Sequence, residues 1–400
     1  MNNSYQIREI VLKIHETPHK AVLTITGGGA EAIGELLRHG GGSNTLLEAV
    51  VPYDPKSFND FVKGKPDKYC SPGAARDLAM AAYHRAVLLT GTTENIIGLG
   101  CSCSLMKDHE REGREHHAYI AVQTKDSTEN YDLNDFIKKW NDFEAITRNK
   151  QETEVSNCIL FALAKACGID SLQLLGEKIG ISLSNHSRIK YTFIKGAEEQ
   201  IRVISGKSNA ECINKNGEYI PFDIIPEQRR ILFPGSFRPF HPGHARVAAK
   251  VFELTGRPVD LEINVRNVDK PAINYHDLNE RLEYCLNETK DAPWMGNIYL
   301  TALATFASKA AYFPDTDFVV GWDTFVRIND PKYGDLDWVI ATLQSFNARF
   351  FVFHRIMNGV STVDDKTVIN PKLMGLATVF GPDVLEPIDI SSTQIRNGTK

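Results

Sequence analysis

No stretch of the 400-residue sequence comes near the roughly 18 uninterrupted apolar residues of a membrane-spanning helix, so no membrane partner is expected. Cysteine is scarce: seven, irregularly spaced, are too few for a disulfide framework and fit a reducing, cytoplasmic setting. The opening MNNSYQIREIVLKIHE mixes polar and apolar residues and lacks the apolar core of a secretory leader. Positive charge is not in excess, with 45 Lys and Arg against 50 Asp and Glu and a net charge of −5, so a nucleic-acid coat is not expected. Glycine at 29 and proline at 18 residues leave no room for a low-complexity class. What remains is an ordinary globular chain, 42% hydrophobic and 24% charged, long enough for two or three domains. Small anionic ligands stay available to it, because a few amides and basic side chains suffice to hold a phosphate. A homo-oligomer is left open.

Residues 1–168 read as one α/β unit. Ala21–Thr26 is an apolar run ending in Gly27–Gly29, and a helical stretch Glu31–Arg38 follows. Leu46–Val51, Ile96–Leu99 and Tyr119–Val122 are strand-like, while Pro72–Leu89 and Val155–Ala166 are helical, the latter closed by Gly168. From 169 to 228 short alternating runs, YTFI at 191–194, IRVI at 201–204 and EYIPF at 218–222, are divided by turn dipeptides; this predicts a small β-rich connector. From 229 to 400 the alternation is cleaner. Ile231–Phe233, Val259–Val265, Phe318–Val320, Arg349–Phe353 and Ala377–Phe380 are expected strands, with helices over His244–Leu254 and Leu278–Leu286. That rhythm predicts a doubly wound, Rossmann-like, mostly parallel sheet with ligands at the carboxyl ends of its strands.

The first strand of this last region runs into Gly235-Ser236-Phe237-Arg238-Pro239-Phe240-His241-Pro242-Gly243-His244, after which a helix begins. A loop between a strand end and a helix N-terminus offers unpaired N–H groups and the positive end of the helix dipole to an anion. Gly235 and Gly243 are expected to let a phosphate approach the backbone. His241 and His244 are expected to donate to the same phosphate. A zinc site on these histidines would need further ligands, and none stands out; the Walker pattern is absent.

The decade resembles the H-x-G-H signature of the nucleotidylyltransferase superfamily. Ile390-Ser391-Ser392-Thr393-Gln394-Ile395-Arg396 resembles its second motif, I-S-S-T-x-I-R. Lys270, just past the second strand, stands where the superfamily often places a basic residue, and Gly321-Trp322-Asp323 resembles the G-x-D segment that contacts the mononucleotide in nicotinamide-mononucleotide adenylyltransferases. The resemblance implies an ATP-dependent adenylyl transfer to nicotinamide mononucleotide or a related phosphate acceptor. His241, His244, Lys270 and Arg396 would be the catalytic cations, with Gly235, Ser236, Phe237, Gly243, Ser391, Ser392 and Thr393 around the ATP phosphates. Gly321, Trp322 and Asp323 would hold the mononucleotide, Trp322 by stacking if it is not simply a core residue. Mg²⁺ would enter with ATP, leaning on substrate phosphates rather than a carboxylate cage. Arg327 and Arg355 are weaker candidates for phosphate contacts.

Residues 20–168 resemble the C-terminal domain of the competence-damage-inducible A (CinA) family, whose active members deamidate nicotinamide mononucleotide. Its E-S-C-T-G-G loop falls on Leu23-Thr24-Ile25-Thr26-Gly27-Gly28, and its Y-S-N-x-x-K segment on Val51–Lys56, where Tyr53 and Lys56 match. Thr24 replaces the nucleophilic serine and Leu23 the acid before it, which points to lost or altered activity. Thr24, Thr26, Gly27, Gly28 and Lys56 are the candidate pocket, with Lys56 the base if the threonine acts as nucleophile. Cys101, Cys103, His109, His116 and His117 are not expected to bind metal, since C-x-C is an uncommon zinc spacing. Two other readings stand beside the first: transfer to phosphopantetheine or, from CTP, to an alcohol phosphate, and a non-catalytic nucleotide-sensing scaffold.

Overall fold

Lys20–Thr26 (β1) is buried over five consecutive residues, the mark of a strand covered on both faces. In the computed structural model it lies inside a six-stranded sheet. The structure describes all residues except 1–2, 108–114, 139–146, 171–188, 225–226, 267–271, 355, 358–359, 362–368, 387–389, 397 and 399–400. The chain divides into two compact units, Met1–Ala197 with Asp269–His276, and Glu198–Val268 with Asp277–Lys400.

The first unit runs α1 (Asn3–Glu16), β1, α2 (Glu31–Arg38), α3 (Gly42–Thr45), β2 (Leu46–Val50), α4 (Pro55–Val62), α5 (Pro72–Thr90), β3 (Ile96–Ser104), β4 (His117–Gln123), β5 (Ser127–Asp132), α6 (Asn134–Lys138), α7 (Arg148–Ala166) and β6 (Lys190–Lys195). Its strand order is β2-β1-β3-β4-β5-β6, with β1 parallel to both neighbours and the strands from β3 to β6 antiparallel. Helix α5 is capped by Ser71, whose Oγ accepts from Ala74 N, and ends at Gly91, φ 71°. It lies unusually close to β3. A Cβ on Gly98 would stand 2.2 Å from both Ala79 O and Tyr83 N, and one on Gly100 2.3 Å from Ala75 O. Helices α1, α2 and α7 close a second core that includes Ile14, Leu23, Leu36, Leu99 and Ile159. Residues 272–276 also belong here: Tyr275 N donates to Thr128 Oγ1, and the ring fills the space a side chain at Gly196 would need.

The second unit runs α8 (Glu198–Ser205), β7 (Ala210–Ile213), β8 (Tyr219–Ile220), β9 (Arg230–Pro234), α9 (Pro242–Thr255), β10 (Val259–Asn264), α10 (Tyr275–Thr289, its first two residues counted with the first unit), β11 (Met295–Thr301), α11 (Phe306–Tyr312), β12 (Thr316–Gly321), α12 (Trp322–Arg327), α13 (Leu336–Ser345), β13 (Arg349–Phe353), the small hairpin β14 (Ile356–Met357) and β15 (Val360–Ser361), α14 (Pro371–Met374), β16 (Ala377–Phe380) and α15 (Ser392–Arg396). The sheet order is β16-β13-β12-β9-β10-β11-β7-β8; the first six strands are parallel and β7 and β8 antiparallel. The chain goes one way from β9 to β10 and returns on its other side with β12. The end of β9 is therefore the topological switch point of a doubly wound sheet, where such folds bind ligands.

The α/β class and the expected strands of 229–400 are borne out. In the connector region, YTFI is β6, in the first sheet, while β7 and β8 extend the second. IRVI is not a strand. It lies in α8, where Gln200, Val203 and Ile204 are buried at helical spacing behind Glu198 and Glu199 in the first turn. Among the described residues no helix is long and apolar enough to cross a membrane.

Candidate functional site

Strand β9 delivers the chain to Gly235, whose N–H donates to Glu262 O at 2.9 Å. Phe237 then takes a left-handed conformation, φ 44°, and folds its ring back over Gly235, where a Cβ would stand 2.4 Å from the ring. Gly235 thus makes room for the protein's own phenyl ring. Gly243 is constrained alike, since a Cβ there would lie 2.9 Å from His241 Cε1. At both glycines the space a side chain would fill is taken by rings that set the site.

His241 caps α9. Its Nδ1 accepts from Gly243 N at 3.1 Å, and its own N–H donates to His244 Nδ1 at 3.2 Å. A backbone N–H only donates, so both Nδ1 atoms are acceptors and each neutral ring carries its proton on Nε2. The two rings stack at 3.7 Å and 28°. His244 is walled in by Phe233, Phe237 and Phe240 at 6.0, 5.0 and 5.3 Å, and Phe240 stacks on Trp294 at 6.3 Å. His241 is only 3% exposed. Two Nε2–H donors are thereby fixed by backbone and aromatic packing together.

The C-terminal motif closes on this loop. Ser391 and Gln394 cap α15 reciprocally, Gln394 N donating to Ser391 Oγ at 3.2 Å and Ser391 N to Gln394 Oε1 at 2.8 Å. Ser392 Oγ donates to Pro239 O at 3.0 Å, and Arg396 Nη1 to Arg238 O at 2.5 Å. Arg396 Nη2 reaches Thr393 Oγ1 at 3.3 Å. Arg281, from α10, donates to Ser236 O at 3.3 Å. Gly321 caps α12 at the end of β12, the strand next to β9, on the same sheet edge. Trp322 is 9% exposed, packed in the core near Phe325 and His354. Asp323 pairs with Arg327 at 3.7 Å, and Arg327 also donates to Thr324 Oγ1. Lys270 and Arg355 lie outside the described residues.

The glycine loop of the first unit is built differently. Thr24 is 0% exposed, and its hydroxyl donates to Leu99 O at 3.0 Å and Leu78 O at 3.3 Å. Thr26 ends β1. Gly27 takes φ 84°, with Cys103 O 1.8 Å from where its Cβ would be; at Gly28 that neighbour is Leu105 Cδ1 at 2.3 Å. Glu152 Oε1 accepts from Gly29 N at 2.8 Å and Ala30 N at 2.6 Å, and Arg148 Nη2 donates to Gly27 O at 2.9 Å. Lys56, near the start of α4, is exposed; among the described residues no hydrogen bond joins it to Thr24. Cys101 and Cys103 place their sulfurs 3.4 Å apart, and the bond between them together with burial holds the Cys101 thiol well above its ordinary range. His116 bonds to Gln151, and His117 pairs with Glu115 at 3.4 Å and stacks on Tyr119. His109 is outside the described residues.

Residues 232–398 match the family model of cytidylyltransferase-like proteins. This region is a cytidylyltransferase-like nucleotidyltransferase domain. No curated protein matches the sequence. Among solved structures, the competence/damage inducible protein CihA from Agrobacterium tumefaciens is 15% identical, covers 40% of this chain and 95% of its own, and superposes with a TM-score of 0.32. A competence-damaged protein (CinA) superfamily protein from Klebsiella pneumoniae is 10% identical, over 42% of this chain and 99% of its own, TM-score 0.32. A competence or damage-inducible protein from Enterobacter asburiae is 11% identical, over 42% and 98%, TM-score 0.31.

Within the cytidylyltransferase-like domain, sequence reading passed over a buried ion pair beside the loop. Glu262, 0% exposed, accepts from Lys309 Nζ at 2.5 Å and from the Thr301 hydroxyl, while its carbonyl takes the Gly235 N–H. One residue thereby ties the loop, β11 and α11 together, and no local motif announces it because the three partners are far apart in sequence.

Proposed function

We propose that the cytidylyltransferase-like domain transfers the adenylyl group of ATP to the phosphate of nicotinamide mononucleotide or a close relative of it. The observation that carries this reading is the pair of imidazoles held as Nε2–H donors at the N-terminus of α9, at the switch point of the sheet. An acceptor phosphate oxygen attacks the α-phosphorus, the bond from that phosphorus to the bridging oxygen breaks, and pyrophosphate leaves with the electron pair. The chain has no covalent step to perform, so its contribution is placement and stabilisation of charge on the phosphoryl oxygens. His241 and His244 donate to those oxygens, Arg396 and Lys270 add charge, and the segment from Gly321 to Asp323 receives the acceptor. No carboxylate occurs between Glu227 and Glu253, which fits Mg²⁺ arriving on the triphosphate with its waters. The choice of acceptor rests on the sequence resemblance of both halves to proteins acting on the same mononucleotide. Transfer from CTP to an alcohol phosphate is the second reading, favoured by the description of the matching family.

The first unit, in this proposal, does not deamidate the mononucleotide. The Thr24 hydroxyl is committed to two carbonyls and the loop amides to Glu152. One experiment tests both halves. Full-length protein with Mg²⁺, ATP and nicotinamide mononucleotide is expected to form the dinucleotide and pyrophosphate but no ammonia, and His244→Ala to lower the rate about 10²–10³-fold, the scale for one lost oxyanion donor. Pyrophosphate release with other acceptors but never with this one sinks the substrate while keeping the reaction. Full activity in His244→Ala sinks the site, and ammonia release at about 1 s⁻¹ sinks the inactive first unit.

A further inference from the structure

From Gln228 to Phe252 the sequence carries five Lys and Arg and no Asp or Glu, in a chain of net charge −5. Three of the five cations are committed. Arg229 pairs with Asp317 at 2.5 Å, Arg230 with Asp260 at 3.8 Å and with two carbonyls, and Lys250 with Glu253 at 2.7 Å. Arg246 is exposed on α9. Arg238 is left, half-buried in the loop three residues before His241.

Its backbone and its side chain are treated in opposite ways. Arg396 holds the Arg238 carbonyl at 2.5 Å and Ser392 the next carbonyl at 3.0 Å. The Arg238 guanidinium makes no hydrogen bond or ion pair among the described residues. A fully charged fork on a pinned backbone, inside a segment emptied of carboxylates, is a preorganised donor for a ligand oxyanion.

We propose that Arg238 is a substrate-binding residue that grips a phosphate of the reacting pair, either the polyphosphate of the nucleoside triphosphate or the phosphate of the acceptor. This rests on the phosphoryl-transfer reading of the loop. Because the clamp takes the carbonyl, truncating the side chain leaves the loop held, so Arg238→Met is expected to fold and melt like the wild type.

The test is calorimetric titration of full-length protein with two probes, Mg²⁺–pyrophosphate and nicotinamide mononucleotide, for the wild type, Arg238→Met and Arg238→Lys. Arg238→Met should weaken at least one probe about 10-fold or more, the scale of a hydrogen bond to a charged group, with a smaller change in kcat at saturation. Arg238→Lys should fall between, keeping the charge and losing the fork. Loss confined to pyrophosphate assigns the contact to the triphosphate, and loss confined to the mononucleotide assigns it to the acceptor. Wild-type affinity for both probes in Arg238→Met overturns the inference and leaves the proposed reaction standing. A wild type that binds neither probe and transfers nothing overturns the reaction and the inference with it.

Discussion

Two carboxylates two residues apart on α7 face opposite fates. Glu152 satisfies two backbone N–H groups at the start of α2, whereas burial alone pushes the Glu154 carboxyl up to about 7. Removing Glu152 strands two donors beside tightly packed glycines. Glu152→Ala is expected to cost about 1–3 kcal/mol in urea unfolding, with Glu152→Gln costing less because an acceptor oxygen remains. An alanine variant as stable as the wild type would mean that water replaces the carboxylate freely. Sequence patterns could not show this contact, since Glu152 and Gly29 are 123 residues apart. Thr24 was hidden for another reason: in a strand covered on both faces, alternation no longer says which side chains reach solvent. His241 and His244 were legible because their spacing, the glycine between them and the helix start are all local. The tautomer that makes them donors was not, because it depends on which nitrogen the backbone engages.

Among the elements, α5 and β3 depend most on what is missing from them. Gly98 and Gly100 carry no side chain, and α5 meets them with Ala75 and Ala79, so the two backbones touch. Gly100→Ala sets a methyl 2.3 Å from Ala75 O and 2.5 Å from Ala79 N, and helix backbone cannot swing aside as a side chain would. The expected cost is about 1–3 kcal/mol or more in chemical denaturation. Gly34→Ala, inside α2 with nothing within 4 Å, should instead stabilise by up to about 1 kcal/mol. Equal effects at the two sites would refute the packing argument. Apolar strands of the parallel sheet were readable by eye, but β5 (Ser127–Asp132) was not. It is polar yet largely buried, its Glu129 accepting from Lys165, Tyr131 and Tyr191. Hydrophobic periodicity has nothing to register where burial is sustained by polar partners.

At the scale of the whole chain, β7 matters more than its four residues imply. It pairs antiparallel with β11 and covers an edge of the second sheet. A fragment of residues 229–400, the expected third segment of the sequence, leaves the β11 edge bare, while 198–400 keeps it covered. The longer fragment is expected to be soluble with a cooperative melt, and the shorter to melt lower or aggregate. Identical melting of the two would show that β7 and β8 are dispensable. The placement of residues 272–276 with the first unit also has a meaning in time. During synthesis that unit lacks the Tyr275 ring beside Gly196 until about 80 further residues have been added, roughly 4–16 s at ordinary elongation rates. The N-terminal half of the sequence is therefore born first but completed late, and the seat of Tyr275 against β5 is where a nascent chain stays open longest.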